Sequence, residues 1–247
     1  MANNTDKVDI LAIGAHPDDC EMSMAGTLLK MKELGYRVGI CDLSRGEAGT
    51  YGSAASREKE LQDAGAMLGL DARITLDFPD GSIRNSEENR LAVIEVIRRL
   101  RPETVFSFAD QPLRHPDHFY CGQVVRESCF LSGLEKIVTP SAPFRPSAFI
   151  GFPELIISRR PDFVIDITPY WEKRLAVIRC FRTQVSQPGE DDSRIKTLIR
   201  SGRFWDHQEA RAGMAGAMIG VKYGEPFYST HPPQVFDPLK AFFKEIK

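Results

Sequence analysis

The sequence predicts an α/β fold: a mostly parallel β-sheet flanked by helices, with a C-terminal helical cap. Three observations carry this. Strand-like and helix-like segments alternate through the first two-thirds of the chain, the pattern of parallel strands joined by crossover helices. From Thr168 onward the strand signals give way to helical ones. With 247 residues and 42% hydrophobic content, the chain has enough apolar material for one sizeable core, so residues 1–247 are read as a single domain whose helical region starts at about 168.

The elements follow in order. Val8–Ala15 is an apolar run read as the first strand. Glu21–Leu34 reads as a helix, with Met22, Leu28, Leu29, Met31 and Leu34 as its apolar positions and Gly35 as its stop. Arg37–Leu43 is the second strand. Ser44–Ala55 carries three glycines and reads as a long loop, after which Ser56 resembles an N-cap for a helix ending at Leu68. Arg73–Phe78 is the third strand, closed by the turn Pro79-Asp80-Gly81. Ser86–Leu100 is amphipathic, with Leu91, Ile94, Ile97 and Leu100 on one face, and Pro102 ends it. Thr104–Ala109 is the fourth strand, followed by the loop Asp110-Gln111-Pro112 and a helix over Phe119–Leu131. Ser147–Phe152 and Phe163–Ile167 are two further strands. Helical segments near Tyr170–Phe181, Ser193–Gly202 and Asp206–Ile219 then flank a polar break at Gln187–Asp192. The arrangement is Rossmann-like.

Composition narrows the function. A formal net charge of −2 gives no electrostatic reason to expect nucleic acid as a partner. No apolar stretch approaches the roughly 20 residues that span a bilayer, and the polar start Met1–Lys7 lacks a signal peptide's apolar region. These features predict a cytoplasmic protein. Five cysteines (Cys20, Cys41, Cys121, Cys129, Cys180) are scattered without a C-x-x-C pair, which predicts buried apolar fillers rather than disulfides or a thiolate zinc site.

The chemistry gathers at two strand ends. The first strand runs into His16-Pro17-Asp18-Asp19, and the fourth into Arg114-His115-Pro116-Asp117-His118. Ligands in open parallel sheets bind beyond the carboxyl ends of the strands, so both segments are placed where a site belongs. His16 and Asp19 are three residues apart, as are His115 and His118, and such pairs face the same side of a first helical turn. Taken singly, each cluster also has a plain structural reading: His-Pro at a loop end, or Asp18-Asp19 complementing a helix dipole. Together they predict a divalent metal held by His16, Asp19 and His118, a three-ligand set that leaves a position for water. Asp18 is then a candidate general base. His115 is a candidate acid or electrophile, oriented through a ring nitrogen by Asp117. His207 and His231 have no comparable setting and read as surface or packing residues.

These stretches, with Gly35–Gly52, Phe78–Asn85 and Ile219–Phe227, resemble the PIG-L/LmbE-like family of zinc-dependent N-acetylglucosaminide deacetylases. Within it the chain is most similar to the bacillithiol-biosynthesis deacetylases, which act on N-acetylglucosaminyl malate. The resemblance implies Zn²⁺ (or Fe²⁺) on His16, Asp19 and His118, Asp18 as base and His115 as oxyanion stabiliser. It further implies substrate contacts from Arg57, Asp80 and Glu47, and Arg145 as a partner of the catalytic carboxylate. A homo-oligomer, up to a hexamer, is also implied. Where relatives carry aromatic residues before the segment matching Gly216–Gly220, this chain has Met214-Ala215. Other readings are the same chemistry on an inositol- or chitin-derived glycoside, a nucleotide-binding module and a non-catalytic metal scaffold. The nucleotide reading is opposed by the lack of a G-x-G-x-x-G motif and by acids at the helix start, which would repel a pyrophosphate.

Overall fold

A computed structural model describes residues 7–109, 114–187, 197–232 and 234. Seven strands form the sheet: β1 (Ile10–Gly14), β2 (Val38–Asp42), β3 (Ala72–Thr75), β4 (Thr104–Phe108), β5 (Ala148–Phe152), β6 (Phe163–Asp166) and β7 (Gly224–Ser229). Their order is β3-β2-β1-β4-β5-β7-β6. The first five run parallel, and β7 pairs antiparallel with both β5 and β6. β1 and β2 are buried along their whole length, as expected of central strands covered on both faces.

The helices are α1 (Asp19–Glu33), α2 (Ala54–Leu68), α3 (Glu87–Leu100), α4 (Pro116–Leu131), α5 (Trp171–Arg179) and α6 (Arg203–Ile219). Local chemistry sets their starts. Ser53, not Ser56, is the N-cap of α2; Ser56 is its reciprocal partner in a capping box. Ser86 caps α3, and Pro116 occupies the first turn of α4, three residues earlier than periodicity indicates. Only part of Ser193–Gly202 is described, and there the chain makes a short 3₁₀ turn at Leu198–Arg200. The loop Asp110-Gln111-Pro112, residues 1–6 and residues 188–196 lie outside the described residues.

The expected helical cap is incomplete as a description, because β7 returns to the sheet between β5 and β6. Its Pro226 argues against a central strand, yet β7 is buried except at its last residue. Its Glu225 side chain reaches α1. That helix is broken at Met24 (φ −147°, ψ 22°). A regular helix would bond Gly26 N–H to Met22 C=O and Thr27 N–H to Ser23 C=O. Across the break, all four groups find side-chain partners. Glu225 accepts from the amides of Gly26 (3.1 Å) and Thr27 (2.7 Å), Arg174 donates to Met22 C=O (2.7 Å), and Arg211 donates to Ser23 C=O (3.0 Å). Arg174 also pairs directly with Glu225 at 2.9 Å. The C-terminal region thus shapes the helix that begins with Asp19.

Candidate metal centre and catalytic cleft

β2 and β3 lie on one side of β1, β5 lies beyond β4, and the winding reverses between β1 and β4. At such a switch point the loops leaving the two strands separate and open a crevice. Both histidine clusters arise there. Gly14 permits the tight return of α1: a Cβ at this position would stand 2.9 Å from Asp19 Cβ. Asp18, the N-cap of α1, adopts φ 112°, a conformation costly for any residue but glycine and least so for Asp and Asn.

His16, Asp19 and His118 converge, although the two histidines are 102 residues apart. His16 Nδ1 is 3.3 Å from His118 Nε2 and 3.4 Å from Asp19 Oδ2, and Asp19 Oδ1 is 3.2 Å from His118 Nε2. Zinc–ligand bonds of about 2.0–2.1 Å in a tetrahedron place neighbouring donors about 3.3–3.4 Å apart. The two inner nitrogens have the spacing of neighbouring zinc donors, and Asp19 faces one with each of its carboxylate oxygens.

The outward nitrogens are held by carboxylates. His16 Nε2 lies 3.2 Å from both Asp117 Oδ2 and Asp80 Oδ1, and His118 Nδ1 lies 2.8 Å from Glu154 Oε1. Asp117 is itself fixed by the amides of Gly81 (2.7 Å) and Ile83 (3.2 Å). Glu154 accepts from the Arg114 amide at 2.8 Å. This carboxylate–imidazole arrangement selects the tautomer that turns the inner nitrogen to a metal. His16 belongs to two donor groups, one with His115 and His118 and one with Asp80 and Asp117; both Asp117 oxygens already accept backbone amides, so we read the second group as the support of the first.

The electrostatics also call for a cation. Burial alone would lower the His16 pKa, but Asp117, Asp19 and Asp80 outweigh it and hold the ring well above the usual range. Burial likewise opposes charge on His118, and Asp19 and Glu154 nevertheless raise it to about 9. Removing one ligand tests the assignment. His118→Ala is expected to weaken metal binding by orders of magnitude and to abolish the thermal shift that added Zn²⁺ produces in the parent chain. That shift corresponds to about 2.7 kcal/mol at a metal concentration 100 times Kd. An unchanged zinc-dependent shift in the variant would remove His118 from the ligand set.

Beside these ligands opens a cleft of about 330 Å³, lined among others by Asp18, Arg57, Asp80, Arg114 and His115. Burial, reinforced by Asp19 and Glu21, pushes the Asp18 carboxyl up to about 8 against the pull of Arg57 and His16. Arg57 Nη1 is 3.9 Å from Asp18 Oδ2, while its Nη2 donates to Pro17 C=O at 3.1 Å. Its Nε and Nη1 are buried without a hydrogen-bond partner.

Three expectations change. Asp117 does not direct its carboxylate to His115; both of its oxygens serve amides, and Oδ2 also serves His16. Instead, the Asp117 backbone amide donates to His115 Nδ1 at 3.2 Å, so neutral His115 carries its proton on Nε2. Burial and the neighbouring His118 and His16 lower the His115 pKa, so it is a neutral donor rather than an imidazolium. Glu47 is exposed and accepts from the Asp80 amide at 2.9 Å, while Asp80 Oδ2 accepts from the Ala48 amide at 2.9 Å. This reciprocal pair pins the glycine loop to the Pro79-Asp80-Gly81 turn and leaves Glu47 out of the cleft lining. Arg145 sits over the Phe130 ring at 4.2 Å, at the end of α4 opposite His115 and His118, and does not reach Asp18.

The cysteine reading and the reading of the two other histidines match their surroundings. Cys20 and the other four cysteines are buried free thiols, and His207 and His231 are exposed. Met214 is exposed on α6, and the described cleft lining contains no tyrosine. Sequence reasoning misses Glu154. Its one signal is an acid two residues past β5, a third strand ending at the same sheet edge.

The PIG-L profile, described as GlcNAc-PI de-N-acetylase, matches residues 11–129, which include every proposed metal ligand. A diacetylchitobiose deacetylase from Thermococcus kodakarensis is 30% identical over 74% of this chain and 71% of its own length. The chain belongs to the PIG-L family. A Bacillus anthracis relative named "probable N-acetyl-alpha-D-glucosaminyl L-malate deacetylase 2" is 29% identical over 71% of this chain and 80% of its own. A 4-oxalmesaconate hydratase from Pseudomonas putida is 24% identical over 73% and 76%, respectively. The crystal structure of the conserved protein TT1542 from Thermus thermophilus superposes with a TM-score of 0.83 at 33% identity, covering 92% of this chain and 97% of that one. The α/β fold with its mostly parallel sheet is therefore the fold of this PIG-L protein. Among the described residues, no helix is long and apolar enough to cross a membrane.

Proposed function

We propose that this PIG-L chain is a zinc-dependent hydrolase that removes the acetyl group from an N-acetylglucosaminide, with N-acetylglucosaminyl malate as its substrate. The observation that carries this reading is the buried carboxyl of Asp18 beside the convergent His16, Asp19 and His118 donors. A divalent cation held by that set supplies an acidified water and a Lewis acid for the amide carbonyl. Asp18 takes the proton of the attacking water and returns it to the departing amine. His115 donates its Nε2 proton to the carbonyl oxygen as negative charge develops there. Asp80 and Asp117 keep His16 turned, and Glu154 does the same for His118.

The malate assignment draws on Arg57. Arg57 is a cation lining the cleft, the charge that a carboxylate on the aglycone would seek, and the Bacillus anthracis relative is named for such a substrate. The same donor set accepts iron(II), which makes Fe²⁺ the alternative metal. The reading takes residues 1–247 as one cytoplasmic domain acting in a homo-oligomer, up to a hexamer, on a small molecule rather than nucleic acid or membrane.

The test is amine release by the metal-loaded protein. N-acetylglucosaminyl malate should be hydrolysed with a higher kcat/KM than diacetylchitobiose or an inositol conjugate. Preference for one of those moves the substrate within the class. Failure on all three, with hydration of 4-oxalmesaconate instead, overturns the deacetylase reading.

A further inference from the structure

The two halves of the proposed metal centre come from different segments. Asp18 and Asp19 begin α1, whereas His118 is held by Glu154, which follows β5. One buried side chain joins those supports. Arg211, on α6, donates through Nη1 to the backbone carbonyl of Glu154 at 2.6 Å and through Nη2 to that of Ser23 at 3.0 Å. Ser23 lies one turn beyond Asp19, on the near side of the break at Met24. Arg211 is only 8% exposed. Burial and neighbouring Arg174 lower its pKa to about 10, so it remains charged at neutral pH.

The broken helix gives this contact its meaning. In an unbroken α1 the Ser23 carbonyl would face the Thr27 amide, which here turns to Glu225. The freed carbonyl is available to a cation from outside the helix. The planar guanidinium offers two donors in a fixed fork, so one group sets the spacing between two backbone segments. Lysine, with a single ammonium, holds such a spacing less rigidly.

We infer that Arg211 is a positioning residue of the metal centre, clamping the α1 turn that presents Asp18 and Asp19 to the loop whose Glu154 orients His118. It touches no reacting atom. The inference rests on the proposed His16, Asp19 and His118 ligand set. It also assigns α6, which lies outside the segment matched by the family profile, a part in building the site.

A second buried arginine serves as the control. Arg98 is 2% exposed and donates to the carbonyls of Ser132 (2.9 Å), Ile137 (2.8 Å) and Leu134 (2.8 Å), around the far end of α4. Arg211→Met and Arg98→Met both remove a buried guanidinium from carbonyl oxygens, but only the first touches the supports of the metal. The measurements are Zn²⁺ affinity by chelator competition, kcat and KM, with folding followed by circular dichroism. Arg211→Met should weaken zinc about 10- to 100-fold, the range for outer-shell changes, and lower kcat more than KM. Arg98→Met should lower Tm and leave zinc affinity and kcat at parent values.

Parent-like zinc affinity in folded Arg211→Met, or an equal loss in both variants, overturns the inference. If Arg211→Met does not fold, Arg211→Lys decides: intermediate zinc affinity supports the clamp and parent affinity overturns it. Zinc affinity is read without substrate. A parent chain that binds zinc but releases no amine therefore counts against the proposed reaction and not against Arg211.

Discussion

Asp18→Asn is expected to lower kcat by about 10²- to 10⁴-fold, the usual contribution of a positioned acid–base group, while the protein still binds one Zn²⁺ with near-parent affinity. Asparagine is the informative replacement. It keeps the shape of the side chain and tolerates the positive φ of 112° at this N-cap, which alanine would strain. It cannot accept the proton of the attacking water. The ligands His16, Asp19 and His118 retain their donors and outer carboxylates, so metal binding and turnover separate in this variant. Metal analysis and single-turnover amine release check both halves. Parent-like kcat with bound zinc would exclude Asp18 as the base, and loss of zinc would make it a ligand.

Glu225→Leu is expected to destabilise the fold by about 3–5 kcal/mol, the cost of removing one partner from a buried ion pair. Arg174, 1% exposed, would lose its carboxylate partner, and the amides of Gly26 and Thr27 would lose their acceptor at the break in α1. For a chain of this size the loss corresponds to a fall in Tm of about 6–20 °C. Arg174→Met combined with Glu225→Leu should recover part of it, because the uncompensated buried charge is then gone. Thermal unfolding of the single and double variants checks this. A single variant within about 2 °C of the parent would show that the network does not hold the broken helix.

Both predictions turn on how much the sequence discloses. The strands up to Phe163–Asp166 and their helices are legible, because apolar runs and periodic faces are local signals and both central strands are buried from end to end. The two histidine clusters are legible for a related reason. In a parallel sheet, the end of a strand predicts the edge at which its loop emerges. That places His16, Asp18, Asp19, His115 and His118 together without any knowledge of the geometry.

The misses have a common cause. Asp117 lies two residues from His115, and adjacency suggests a contact, but the first turn of α4 points its carboxylate at His16 instead. Glu47 neighbours the cleft in sequence and is spent on the Asp80 amide. Arg145, assigned on motif alone, packs on Phe130. β7 is hidden by its proline, Glu154 shows only as an acid two residues past a strand, and Arg174 and Arg211 carry no local pattern. Their partners lie 36, 152 and 188 residues away, respectively.

By itself, the sequence determined the class of fold, the edge of the sheet that carries the chemistry and the donors available to a metal, because each follows from residue type and short-range periodicity. Only the tertiary structure decided which nitrogen of each histidine faces inward, which carboxylate backs it and how α1 survives its break. Those outcomes depend on distances of about 3 Å between segments far apart in the chain, where packing and the burial of charge select the partner and sequence proximity does not.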